Sequence, residues 1–352
     1  MRIARVMGGL AVLGGCLVSY GADASAAQGE ALLAAARAGV QAQEAKVPAL
    51  EIESQTMTEE WDAGTRAWKF LGREHLHAVY DRAGEARCRI EMLDREWARA
   101  QGDPPRATGN GVTTFDGYVG LVYTHETAPS GHPDKPPVGQ VMRSRPREVH
   151  IQAMYSGLGE SIFGLVKYTG DPTTLSVLLM PGQKDVTVTA AMVMLDHVPC
   201  VKIERKIQHH TYQIYWLDPA RQYAIVRAEN YGPAKNRQGQ PSWDSPVVTF
   251  SWTVEKFVEV SPGVYFPARV VIQGHPADAH ISSMRSTVTI LHATIPTQPL
   301  DPRMFWLEFA PGTLVTDAVT KQKVTIENAG AAQIRTLQSM LADEPPGAAT
   351  QP

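Results

Sequence analysis

Two imidazoles at alternate positions of a strand-like run are the most direct candidates for chemistry in this chain. His75 and His77 flank Leu76, and side chains alternate across a strand, so both imidazoles point to one face. That spacing suits a metal-dependent hydrolase, with Glu74 or His125 as a further ligand. Zinc needs three or four ligands, and no further motif supplies them. The favoured interpretation is a solvated strand face without a metal.

The sequence motifs give little support for a serine nucleophile. The string Ser156-Gly157-Leu158-Gly159 has Met154 where the G-x-S-x-G elbow has its first glycine. The sequence also contains no P-loop, G-x-G-x-x-G, C-x-x-C or H-E-x-x-H motif. These observations favour a protein that is not an enzyme and uses no cofactor.

The amino-acid composition is typical of a globular protein. Of 352 residues, 43% are hydrophobic and 20% charged, with 33 Lys and Arg against 36 Asp and Glu. This balance argues against disorder and against nucleic-acid binding, which usually requires a basic stripe. The three cysteines are too few for a disulfide scaffold. Cys88 and Cys200 are favoured as separate buried thiols over a disulfide pair.

The first 26 residues have the pattern of an export signal. Arg2 and Arg5 precede an uncharged run, and Ala24-Ser25-Ala26 offers a cleavage site. Simple secretion to the periplasm or another extracytoplasmic compartment is the main prediction, and the mature chain is then expected to be soluble. The alternative is a lipobox at residues 13–16, in which Cys16 would be acylated and anchor the chain.

The elements behind the signal form one domain over residues 27–342. A helix is predicted over 28–46, followed by many alternating strands, of which the longest has Val248, Phe250, Trp252, Val254, Val258 and Val260 on one face. Apolar residues at helical spacing between 148 and 180 predict a helical insert. The Pro-, Gly- and Ala-rich end, 343–352, is predicted to be a disordered tail.

Several hairpin and turn strings occur in a fixed order. They resemble the LolA/LolB-like superfamily, in particular its large exported members of the outer-membrane lipoprotein-sorting type, except that His197 stands where Gly is usual. The strings are Thr114-Phe115-Asp116-Gly117, Asp196-His197-Val198-Pro199-Cys200, Tyr215-Trp216-Leu217-Asp218-Pro219, Val264-Tyr265-Phe266-Pro267 and Phe309-Ala310-Pro311-Gly312.

The resemblance implies an α+β fold, a strongly curved antiparallel half-barrel (an unclosed β-barrel) with a helical lid over residues 148–180. It implies a non-enzymatic carrier that shelters an acyl chain, lipid or lipoprotein in an apolar cavity. The alternative is an envelope sensor that docks a partner protein. Aromatic residues on half-buried strands are more often core, but the expected ligand contacts are Met154, Leu158, Ile162 and Phe163 on the lid and Trp216, Phe250 and Trp252 on the strands.

Overall fold

The computed structural model describes most of the chain between residues 22 and 337. The described ranges are 22–81, 87–97, 106–107, 110–116, 118–125, 137–142, 175–207, 211–235, 240–275 and 283–328, with residues 330, 333, 336 and 337. The predicted signal up to residue 21, most of the predicted lid and the predicted tail lie outside them.

The described chain opens with a long helix, α1 (Ala22–Lys46), which confirms the helix predicted over 28–46. Its sequence is rich in Ala, which has the highest helix propensity, and Pro48 follows its end. Leu33, Ala36 and Val40 are buried at helical spacing, so they define the face that packs. Within the described residues, no helix has the length and apolar character to cross a membrane.

The rest of the described chain is mainly strand, with short helical turns between the strands. The turns are α2 (Leu175–Leu178) and the 3-10 helices Pro219–Arg221 and Pro302–Phe305. The strands are β1 (Ala49–Asp62), β2 (Ala67–Asp81), β3 (Arg87–Trp97), β4 (Arg106–Ala107), β5 (Asn110–Phe115), β6 (Gly120–His125), β7 (Val138–Met142), β8 (Val186–Leu195), β9 (Val198–Ile207), β10 (Thr211–Asp218), β11 (Ala224–Lys235), β12 (Pro241–Ser261), β13 (Val264–Gly274), β14 (Met284–Thr294), β15 (Leu314–Asp317) and β16 (Lys323–Thr325).

All these strands belong to one open sheet, which confirms the unclosed half-barrel. Its order is β16-β15-β7-β6-β5-β3-β2-β1-β14-β13-β12-β11-β10-β9-β8, and β4 pairs with β3 outside this path. The described pairs are antiparallel except β15 with β7. Because β1 pairs with β14, two strands that are far apart in the chain meet in the middle of the sheet.

The two faces of the sheet differ in chemistry. Along β1, Ile52, Ser54, Thr56 and Thr58 are buried, whereas the residues between them are half-buried or exposed. We call the buried face the inner face; α1 packs against it at the β8 and β9 end of the sheet. The opposite, outer face carries many of the charged side chains, as the Glu51, Glu53, Glu59 positions of β1 illustrate.

Three apolar clusters hold these layers together. The first joins α1 and α2 to the inner face of β9–β14, the second fills the inner face at the start of β1, and the third lies on the outer face of β5–β7 under the C-terminal segment. Their largest fully buried side chains are Trp252, Tyr215, Ile203 and Leu179 in the first, Phe266, Leu50, Ile52 and Ile90 in the second, and Phe309 and Leu121 in the third.

The apolar face predicted for β12 continues on both sides of its register shifts. Phe250, Trp252 and Val254 face inward, since Trp252 pairs with Ile272 and packs in the first cluster. Register shifts interrupt the strand between Val254 and Phe257, but they add one residue to β12 and one to β13 and so cancel.

Beyond the shifts, Val258 pairs with Phe266, a fully buried residue of the second cluster, and Val260 packs against the same cluster. Val258 itself is 42% exposed, so this part of the face is less completely covered.

The observed cover on the inner face is α1, with α2 beside it. Glu44 of α1 accepts hydrogen bonds from the Ser176 backbone N–H at 3.2 Å and from the Ser176 hydroxyl at 2.5 Å, which ties the two helices together. Gly39 lets the Tyr223 ring lie against α1, because a Cβ there would come within 2.1 Å of the ring. Of the predicted lid, only the end that contains α2 is described.

Candidate functional site

Strand register brings one residue from each of eight neighbouring strands into a line across the inner face. Each residue in this line pairs directly with the next, so their side chains point the same way. We call this line the inner row. From β9 to β2 it consists of Ile203, Tyr215, Ala228, Trp252, Ile272, Ser286, Thr58 and Gly72.

The first half of the inner row is covered by the chain's own helices. Ile203, Tyr215 and Trp252 belong to the same cluster as Leu33 and Val40 of α1. Trp252 is 1% exposed, and its indole N–H has no hydrogen-bond acceptor. This half is therefore core rather than open surface.

The second half of the row has small side chains. Ser286, Thr58 and Gly72 end the row, and Ser54 and Thr56 lie beside it on the inner face of β1. Thr58 and Ser286 share a hydrogen bond of 3.0 Å between their hydroxyls. All four hydroxyl side chains are buried. These short side chains take up less volume than the large residues of the first half of the row.

A polar line borders the inner row toward the ends of the strands. Arg205 of β9 pairs with Gln213, Gln213 with Asn230, and Asn230 with Phe250. Arg205 Nη1 donates to Gln213 Oε1 at 2.9 Å, and Gln213 Nε2 donates to Asn230 Oδ1 at 3.2 Å. Burial lowers the pKa of Arg205. The inner face therefore carries a buried cation, which the sequence pattern did not indicate.

The structure separates the residues predicted to contact ligand. Phe250 and Trp252 lie on the inner face, with Phe250 packed against the first cluster. Trp216 lies on the outer face, where the Arg227 guanidinium sits 5.5 Å from its ring centroid. Met154, Leu158, Ile162 and Phe163 lie outside the described residues.

The two histidines lie on the outer face, each bonded to a glutamate of β1. His75 Nε2 lies 2.7 Å from Glu53 Oε1, and His77 Nε2 lies 2.9 Å from Glu51 Oε1. Across the described ranges, no group of three or more His, Cys, Asp or Glu is placed to hold a metal ion. These pairs fit a polar strand face.

Ser251 and His275 form a serine–histidine pair that no sequence motif indicated. Ser251 Oγ lies 3.0 Å from His275 Nε2 on the outer face, and burial lowers the pKa of His275. The partners are 24 positions apart, and only the pairing of β12 with β13 brings them together. A hydrolase needs oxyanion donors beside such a pair as well, and the contacts of these two residues supply none.

The two cysteines of the described chain do not form a disulfide bond, in agreement with the favoured interpretation. Cys88 is buried in the second cluster and Cys200 in β9. Burial raises the pKa of the Cys200 thiol, which makes it less reactive.

Tyr212, on the outer face, predicts how the stability of the fold changes at high pH. Burial, with a hydrogen bond donated to Glu204 at 3.0 Å, raises the pKa of Tyr212 to about 12. The unfolded value is about 10. The native state thus holds this proton more tightly, so stability is complete below pH 10 and falls as the pH rises toward 12. In denaturant unfolding at pH 9 to 11, Tyr212→Phe should show a smaller fall than the native chain. An equal fall in the two proteins would contradict this prediction.

Solved structures similar to this chain share little sequence with it. A scan against family models finds no match, and no curated protein matches in sequence. The chain is similar to a DUF1329 family protein from Desulfovibrio piger, at 10% identity and a TM-score of 0.41, covering 79% of this chain and 96% of that one.

Two further solved structures show the same kind of likeness. A putative outer membrane lipoprotein-sorting protein domain from Vibrio parahaemolyticus has 9% identity and a TM-score of 0.38, covering 79% of this chain and 96% of its own. A LolA superfamily protein from Nitrosomonas europaea has 10% identity and a TM-score of 0.39, covering 78% and 98%. The latter bears the name of the superfamily that the sequence motifs resemble.

Proposed function

We propose that this chain is an exported, non-enzymatic binding protein that shelters the apolar chain of a lipid or lipoprotein against its inner face. One observation carries the proposal: the second half of the inner row has small side chains at the centre of a large open sheet. Ser286, Thr58 and Gly72 occupy positions where a self-filled core would use large residues.

The energetics suit an apolar ligand. Burial of apolar surface contributes about 25 cal/mol per Å², so a long acyl chain needs no ion pair to bind. Ile272 borders the small residues along the row and provides an apolar side chain beside them. The buried hydroxyls of Thr58 and Ser286 satisfy each other, so an apolar chain above them leaves that pair intact.

The proposed ligand site is the space above Thr58, Ser286 and Gly72, here called the hollow. The proposal also includes the segment that covers it and the compartment in which the protein works. Met154, Leu158, Ile162 and Phe163 stay predicted contacts from a segment that leads into α2. The signal over residues 1–26 predicts delivery to the periplasm, where lipids and lipoproteins in transit need shelter from water. Trp216 drops out of the proposed contacts, because it faces outward.

The test is to fill the hollow. Thr58→Phe places a large ring at the centre of the row, so we expect it to abolish uptake of N-phenyl-1-naphthylamine, a neutral apolar dye that fluoresces when sheltered. Circular dichroism and thermal melts check that the fold persists. Met57→Phe is the matched control, because Met57 precedes Thr58 on β1, points to the outer face and is 40% exposed. It should leave dye uptake unchanged.

A different pair of results would contradict the proposal. If the space above Thr58 is already packed, the native chain takes up no dye and Thr58→Phe costs about 1 to 3 kcal/mol through overpacking. That pair of observations would overturn the carrier proposal.

A second candidate is a protein-docking module. Its support is β8, a sheet edge of ten residues without a charged side chain, on which Met192 and Met194 are 46% and 66% exposed. An uncharged edge can accept a strand from a partner. In this alternative the partner binds at β8 and the hollow takes no part. Thr58→Phe would then leave the function in the cell intact.

A further inference from the structure

Arg205 has a position that neither the apolar hollow nor the helix packing explains. It points inward from β9, two residues before the strand ends, and only 8% of its surface is exposed. Its Nη1 is bonded to Gln213, and its Nη2 has one long contact of 3.5 Å with Gln183 Oε1. Its buried Nε has no hydrogen-bond partner.

Two donor groups of Arg205 on one edge of the guanidinium are little used. Nε has no partner, and Nη2 has only the 3.5 Å contact with Gln183. Both direct N–H groups to the same side, and this fork matches the two oxygens of a carboxylate. Other arginines of this chain use the same edge on a carboxylate, with both nitrogens donating to one oxygen. Arg285 donates from Nε at 2.9 Å and from Nη2 at 2.7 Å to Glu59 Oε2, and Arg227 uses the same two atoms on Glu229 Oε1.

Arg205 differs from both because it is more deeply buried and has no acid on this edge. Among the residues that the structure describes, no carboxylate lies within ion-pair distance of it. A buried charge without a counter-ion is costly, and buried charges are normally paired. The contacts with Gln213 and Gln183 are neutral, so they leave the charge uncompensated. An anion from outside the chain would compensate it.

We propose that the Nε and Nη2 edge of Arg205 binds the carboxylate headgroup of the apolar-chain ligand held on the inner face. This inference rests on the proposed function and names its ligand class, a single-chain carboxylic acid. The placement suits an amphiphile: Arg205 lies near the strand ends, beside the exposed turn at Pro181 and Gly182, while its row leads to Phe250. The headgroup would sit at the rim and the chain would run inward.

The experiment compares ligands that share a chain and differ in headgroup. Dodecanoate, 1-dodecanol and dodecyl phosphate each displace the neutral dye from the full mature chain. We expect dodecanoate to bind at least about tenfold more tightly than 1-dodecanol, because hydrogen bonds to a buried charge are strong. Arg205→Gln should bind the two equally, with its affinity for 1-dodecanol unchanged. Arg205→Lys, which keeps the charge but lacks the fork, should show a reduced preference.

Arg285→Gln is the matched control, since it removes an arginine whose edge is already occupied on the outer face. It should keep the full preference for dodecanoate. Equal binding of dodecanoate and 1-dodecanol by the native chain, or an undiminished preference in Arg205→Gln, would overturn the carboxylate subsite and leave the carrier proposal standing. Tighter binding of dodecyl phosphate would replace the carboxylate by a phosphate headgroup. If the native chain binds none of the three, the proposed function fails as well.

Discussion

Ala36→Asp should lower the free energy of unfolding by more than about 4 kcal/mol, or detach α1 from the sheet altogether. Ala36 has no exposed surface and lies in the first cluster, between α1 and the inner face. A carboxylate there would lose its hydration and gain no partner from the apolar residues around it. Detachment would also expose Leu33 and Val40 on the helix together with the sheet residues beneath them.

The measurement combines denaturant unfolding with hydrogen exchange of residues 27–46. Ala35→Asp is the matched control, because Ala35 is the preceding residue of α1 and is exposed. Both variants carry the same loss of helix propensity, about 0.7 kcal/mol at most. If the two variants unfold alike, then α1 does not dock on the inner face and the first cluster is wrongly assigned.

Trp252→Ala should cost about 3 to 5 kcal/mol, the range for removing a large buried aromatic side chain. Trp252 is 1% exposed and packs between Ala228 and Ile272 on neighbouring strands. Its indole N–H has no acceptor, so the loss comes from packing and from the cavity left behind rather than from a broken hydrogen bond.

Trp216→Ala provides the comparison on the other face. Trp216 is half-buried and stacks with Arg227, so its removal should cost about 1 to 2 kcal/mol. Urea unfolding of both variants measures the difference directly. Equal losses would mean that the two tryptophans do not lie on opposite faces, and the assignment of the inner row would then be wrong.

The inner face of the sheet has two parts. Under α1 it is a packed core, which gives the open sheet its stability. Beyond Ile272 the side chains become short, and the proposed ligand takes the place of core residues. A sheet without closure needs both, because its exposed apolar face must be covered by helices or by another apolar group.

Much of the architecture could be predicted from local sequence. The helix after the signal follows from Ala-rich composition and the spacing of Leu33, Ala36 and Val40, and it appears where expected. Alternation along β1 identifies its buried face, because side chains of a strand point to opposite sides in turn. The turn strings indicated a long antiparallel series, which the open sheet confirms.

The face on which each aromatic lies was decided by the tertiary structure. Trp216 and Trp252 both stand in alternating strands, and only the pairing of β10, β11 and β12 shows that they point in opposite directions. The 42% exposure of Val258, which pairs with the buried Phe266, likewise follows from the packing and not from the alternation. A period of two says which residues share a face, but it does not say which face meets the helix.

The buried arginine illustrates the same limit for the candidate site. Arg205 stands in the run Glu204-Arg205-Lys206, which by itself indicates a solvated charged stretch. Whether an arginine is paired depends on the strands that lie beside it, and those come from distant parts of the chain. Sequence therefore determined that this protein is a strand-rich chain with a docked helix. Only the tertiary structure determined which side chains the sheet encloses and which charge lies without a counter-ion among the described residues. The reason is that burial and pairing are set by neighbours that are far apart in sequence.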